Sequence, residues 1–131
     1  MGTTKQALGY TLRATEMKLG KFAGKKVTIA TAHPRGRVSF DRFCDMVAGH
    51  TTFNYMEVAS ILNLAADTAR ALVAGGEAVE FGRLGRLTPK LRSKAAAPEE
   101  EFSAVAHIMG ARVRLRPNPK FFRLDDVAFE R

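Results

Sequence analysis

Three arginines alternate with two aliphatic residues in Arg112-Val113-Arg114-Leu115-Arg116, and Pro117 follows. In an extended chain successive side chains point to opposite faces. This spacing therefore lines three cations along one face and sets Val113 and Leu115 against a core. A second stretch repeats the pattern: Arg86, Thr88, Lys90, Arg92 and Lys94 share one parity, with Leu87, Pro89 and Leu91 on the other. Laid side by side, two such strands make a cationic sheet face. The chemistry it offers is the binding of a polyanion, and nucleic-acid backbone is the obvious ligand.

Other residue types with chemical potential do not assemble into a reaction centre. His33, His50 and His107 are far apart and lack a metal-ligand spacing. His33 precedes a proline in a turn, His50 ends a helix where a positive charge suits the dipole, and His107 falls in an expected strand. Cys44 lies among apolar residues at helical spacing with no base partner, and reads as a small core side chain. Glu99, Glu100 and Glu101 are consecutive, which is the pattern of a solvated run. Gly82-Arg83-Leu84-Gly85 lacks the Gly-Lys-Ser/Thr ending of a phosphate loop, so its glycines point to a tight turn or a close backbone approach. The expectation is a non-enzyme with no cofactor, no metal and no small-molecule substrate.

Charge is segregated along the 131 residues. Residues 1–38 hold eight cations and one anion, residues 39–76 a net of −2, and residues 81–123 a net of +7. Solubility alone does not require this separation; a directed electrostatic footprint does. A 46% hydrophobic fraction excludes compositional disorder. One cysteine excludes an intramolecular disulfide and fits a reducing compartment. No apolar run approaches the roughly 20 residues of a membrane span, and the N-terminus has no signal-peptide core. A cytoplasmic protein without membrane contact is expected.

The elements that position the cations can be read in order. Residues 1–8 read as a mobile tail. Tyr10–Ala14 and Lys26–Thr31 alternate as strands on either side of a basic connection bracketed by Gly20 and Gly24. Ser39 is placed to cap a helix carrying Phe40, Phe43, Cys44, Val47 and Ala48 on one face, ending at Gly49. Asn54 and Glu57 form a capping box for a second helix, with Phe53 and Val58 set for a staple. Its stripe runs Val58, Ile61, Leu62, Ala65, Ala69, Leu72 and Val73 up to Gly75-Gly76. The length of that stripe suggests packing partly against another subunit. Ala78–Phe81 is a short strand before the Gly-x-x-Gly stretch. The strand Arg86–Lys94 leads into an acidic loop, and a strand from about Phe102 to Arg116 returns. Asn118-Pro119 opens a short helix with Phe121, Phe122 and Leu124, and Val127 and Phe129 close the chain in a small strand.

This order, with Gly82-Arg83-Leu84-Gly85 and the Arg112–Pro117 run, resembles the HU and integration host factor family of bacterial histone-like proteins. The resemblance covers about residues 38–126, most strongly Val38 to Leu91. The segment before it resembles the N-terminal strand pair of a longer HU-like branch, in which an acidic Glu-Glu-Glu-Phe sequence stands in the arm, as Glu99-Glu100-Glu101-Phe102 does here. The resemblance implies an α+β fold: a helix-turn-helix pair, an antiparallel sheet with an arm hairpin, a short C-terminal helix, and an added N-terminal strand pair. The domains implied are 1–37, a tail and strand pair, and 38–131, the HU-like DNA-binding domain.

What the resemblance implies for function is an architectural, nucleoid-associated homodimer. Such a protein binds double-stranded DNA without sequence preference and condenses or bends it. The residues expected to contact phosphate are Arg83, Arg86, Lys90, Arg92, Lys94, Arg112, Arg114, Arg116 and Lys120. The basic arm tip of ordinary members is absent here. Pro98 stands near the tip, but three glutamates follow it and phosphates would repel them. Contact along the body of the sheet is expected in place of embrace by the tips. The alternative is an HU-like scaffold module that has lost DNA binding. RNA binding ranks lower, because the cationic parity carries no aromatic residue for base stacking.

Overall fold

A computed structural model gives the structure of the protein and describes residues 7–131. The part of the expected tail at residues 1–6 lies outside the described residues, and Leu8 already begins a strand. The chain divides into two compact units, one of Met1–Ser39 with Leu124–Arg131 and the other of Phe40–Arg123.

The first unit is built on a hairpin. Strands β1 (Leu8–Glu16) and β2 (Lys26–His33) pair antiparallel, from Gly9 opposite His33 to Glu16 opposite Lys26. Both segments are longer than the alternation in Tyr10–Ala14 and Lys26–Thr31 implied. A two-residue strand, Phe129–Glu130, lies parallel to the start of β1, with Leu8 opposite Phe129; in chain order it is β6. The closing strand expected at the C-terminus therefore completes the N-terminal sheet, in the order β2-β1-β6.

The second unit begins with two helices. Helix α1 (Phe40–Ala48) buries Cys44 and Ala48. Helix α2 (Tyr55–Ala74) starts at the expected capping box: Glu57 N–H donates to Asn54 Oδ1 at 2.9 Å, and Asn54 N–H donates to Glu57 Oε1 at 3.0 Å. It ends at Gly75, and Gly76 takes φ 97°. Only part of the α2 stripe is covered. Val58, Ala69 and Val73 are buried, whereas Ile61 and Leu72 are exposed, as are Phe40, Phe43, Met46 and Val47 on α1.

The second sheet has the order β3-β4-β5, formed by Val79–Glu80, Arg86–Ser93 and Ile108–Arg116. A single 3-10 turn, Gly82–Leu84, joins β3 to β4. Gly85 follows it at φ 124°, and a Cβ there would overlap the backbone carbonyl of Arg116. That close approach is the reason for the second glycine of Gly-x-x-Gly.

Three details depart from expectation. Strand β5 begins at Ile108, not near Phe102, because Ala104–His107 forms one helical turn, α3. A bulge between Arg92 and Ser93 ends the regular pairing, so Lys94 falls outside β4. The C-terminal helix is absent: Asn118 Oδ1 accepts from Lys120 N–H (3.0 Å) and Phe121 N–H (3.1 Å), and its backbone carbonyl accepts from Phe122 N–H (3.0 Å). The cap formed and one turn followed, but no second turn gained the packing that short helices depend on.

Candidate nucleic-acid interface

The register of β4 on β5 decides where the cations lie. Arg86 stands opposite Arg116, Thr88 opposite Arg114, Lys90 opposite Arg112, and Arg92 opposite Gly110. Directly opposed residues share a face. Six cations, Arg86, Lys90, Arg92, Arg112, Arg114 and Arg116, therefore occupy one face of the ribbon, and all six are exposed. The opposite face carries the pairs Leu87 with Leu115, Pro89 with Val113, and Leu91 with Ala111. That face borders α2 in a groove of about 410 Å³ lined by Leu62, Ala65, Val73, Leu87, Val113 and Leu115 among others. The sequence alternation is thus realised on both strands at once.

Two of these pairs place like charge against like charge, Arg86 with Arg116 and Lys90 with Arg112. At side-chain separations near 6 Å in water such a pair costs on the order of 0.5–1 kcal/mol. The sheet carries that cost without internal relief at most positions. Arg86 is the exception: its Nη2 bonds Glu80 Oε1 on β3 at 2.6 Å, with both side chains largely exposed. An exposed pair of this kind adds little stability, and it leaves Arg86 partly neutralised. Lys90, Arg92, Arg112, Arg114 and Arg116 have no carboxylate in ion-pair distance among the described residues.

The remaining expected contacts lie off the ribbon. Arg83, in the 3-10 turn, sets its guanidinium 5.0 Å from the centroid of the Phe121 ring. Arg83, Arg86 and Arg116 border one concavity, which Glu80 also lines. Lys120 sits on the turn after Asn118. Lys94 lies beyond the bulge, where its N–H donates to the His107 carbonyl at 2.6 Å. The structure brings six of the nine residues into one row and distributes Arg83, Lys94 and Lys120 around it.

The far end of the hairpin is organised differently. His107 is only 5% exposed. Its Nδ1 accepts from Ser103 N–H at 2.9 Å, its Nε2 faces Glu100 Oε2 at 3.3 Å, and its ring stacks on Phe102 at 5.1 Å. Nδ1 also lies 3.0 Å from the Ser103 carbonyl oxygen, so both backbone groups of Ser103 meet the ring. All three glutamates are exposed, as a solvated run is, and Glu100 is also held against His107, so the segment forms a folded cap. Neither the Glu80 contact nor this cap follows from local pattern, although Glu80 lies only two residues before Gly82, in the short strand.

Burial pushes the Cys44 thiol up, Asp41 adds to the effect, and the protonated thiol is a poor nucleophile. Among the described residues no three His, Cys, Asp or Glu side chains cluster as metal ligands, and no helix is long and apolar enough to cross a membrane.

Comparison with known protein families gives a match. The model of the HU-HIG family, described as an HU domain fused to a wHTH, Ig, or glycine-rich motif, matches residues 7–131. No curated protein and no solved structure matches the chain.

Proposed function

The chain belongs to the HU-HIG family, and from that premise we propose that it binds duplex DNA without sequence preference, as an architectural, nucleoid-associated protein. The observation that carries this reading is the β4–β5 register, which puts six exposed cations on one face and opposes two of the pairs. A surface that holds uncompensated like charges gains most from a polyanion, because each phosphate contact relieves repulsion and releases counterions. Contacts of this kind position a protein on DNA and carry no base information. The role is binding and not catalysis.

The reading includes a homodimer, the HU-like arrangement with a longer N-terminal segment. The exposed Phe40, Phe43, Met46 and Val47 on α1, Ile61 and Leu72 on α2, and Val113 and Leu115 on the sheet support it. Full burial of such side chains is worth about 1.5–3 kcal/mol each, so finishing their half-complete burial in a second copy recovers about 1 kcal/mol apiece. Two copies double the number of cations that one duplex meets.

The acidic tip favours a second reading, a scaffold that no longer binds DNA. Gel shift of a labelled duplex at low salt, with sizing in parallel, separates the two. A dimer that retains duplex at micromolar protein supports the first; a dimer that retains none supports the scaffold.

A further inference from the structure

We propose that the tip of the β1–β2 hairpin is a second, independent duplex-DNA contact, in which an apolar side chain enters a groove between flanking lysines. The inference rests on the DNA-binding reading above but uses a different surface. Residues 17–25 read Met-Lys-Leu-Gly-Lys-Phe-Ala-Gly-Lys. They carry Lys18, Lys21 and Lys25 and no carboxylate; the nearest, Glu16, stands opposite Lys26 at the strand ends. Leu19 is 82% exposed and Phe22 48%.

The loop is built and not slack. Met17 N–H donates to the Lys25 carbonyl (3.1 Å) and Gly24 N–H to the Met17 carbonyl (2.8 Å). Ala23 N–H donates to the Gly20 carbonyl (3.1 Å) and Lys25 N–H to the Phe22 carbonyl (3.0 Å). Gly20 and Gly24 take φ of 90° and 79°, values that other residues resist. This frame holds Leu19 in solvent. Lys21 Nζ lies 5.8 Å from the centre of the Phe22 ring, so cation and apolar surface are presented together.

Exposed apolar side chains among lysines that meet no carboxylate among the described residues fit either a nucleic acid or an anionic membrane surface. The magnitudes favour the duplex. Interfacial membrane binding scales with buried apolar area, and two side chains supply little of it; three lysines near an anionic leaflet add only about 1 kcal/mol each. A single apolar wedge, by contrast, suffices to part a base step once cations hold the two backbones.

Two experiments on the full chain test this. In the first, duplex affinity is measured against salt for the native chain, for the combined Lys18→Gln, Lys21→Gln, Lys25→Gln variant, and for the combined Arg112→Ala, Arg114→Ala, Arg116→Ala variant. The lysine variant is expected to lose between two and three from the log–log salt slope, about 0.9 per phosphate contact. In the second, Leu19→Trp places one tryptophan in a chain that has none. Its emission is expected to be quenched by duplex, through contact with bases, and unchanged by phosphatidylcholine–phosphatidylserine vesicles.

An unchanged slope in the lysine variant with an unquenched tryptophan overturns the proposal and leaves the sheet reading intact, provided the arginine variant loses affinity. A blue shift on vesicles with no response to duplex overturns it in favour of a lipid surface. Duplex binding that survives the arginine substitutions but retains the lysine-dependent slope removes the sheet reading and keeps this one. No binding by the native chain removes both.

Discussion

The two ends of the β4–β5 hairpin solve the problem of charge in opposite ways. Along its body, Arg86 faces Arg116 and Lys90 faces Arg112, and among the described residues only Arg86 of the six aligned cations meets a carboxylate, Glu80. At its tip, Glu100 meets the buried His107, whose ring stacks on Phe102 and whose Nδ1 takes the Ser103 N–H. At the tip Glu100 is held by His107, while Glu99 and Glu101 remain exposed. The body leaves like charges opposed, a state that a folded chain tolerates only at a cost and that a phosphate backbone relieves. Cations held in register mark the body, and a carboxylate held on a buried imidazole marks the cap.

Reversing the body's charge breaks the contrast most severely. Combined Arg112→Glu and Arg114→Glu is expected to weaken duplex binding by about 100-fold or more at physiological salt in an anisotropy titration, since two contacts become repulsions. Gly85→Ala attacks the same body through its backbone. A Cβ would overlap the Arg116 carbonyl at a positive φ, so a loss of about 2 kcal/mol or more is expected in chemical denaturation.

A finer test separates stability from function. Lys90→Glu converts the pair with Arg112 into an attractive one. Denaturation is expected to show a gain of about 0.5 kcal/mol while duplex affinity falls severalfold. A variant that gained neither stability nor lost affinity would show that the opposed pair costs nothing. The smallest effect belongs to the tip. Glu99→Gln with Glu101→Gln leaves the Glu100–His107 contact in place and removes two exposed anions. Affinity is expected to rise by about threefold or less, because the tip lies apart from the sheet contacts.

The parts of this arrangement legible in the sequence are those governed by local periodicity. The parity of Arg112, Arg114 and Arg116, and that of Arg86, Lys90 and Arg92, is kept because the strands pair in register, with Leu87, Pro89 and Leu91 set against Leu115, Val113 and Ala111 on the other face, although Val113 and Leu115, expected against a core, stay exposed. The Asn54–Glu57 capping box was legible for the same reason: both partners lie within one turn. What escaped depends on contacts between separated residues. The α3 turn forms where strand was expected because His107 turns back to Ser103 and Glu100. Lys94 leaves the row because of a bulge that only the pairing partner defines. Asn118 capped a turn as its residue type implied, yet the helix did not continue, since propensity in so short a segment does not outweigh missing burial. The parallel pairing of β6 with β1 joins the two ends of the chain, and no local pattern announces such a contact.

The most direct test of the central claim is the slope of log affinity against log salt for the native chain and for the combined Arg112→Ala, Arg114→Ala, Arg116→Ala variant on the same duplex. Three phosphate contacts at about 0.9 each predict that the variant's slope is shallower by between two and three, with no change in sequence preference. An identical slope and affinity in both proteins would contradict the assignment of the β4–β5 face as the DNA-binding surface.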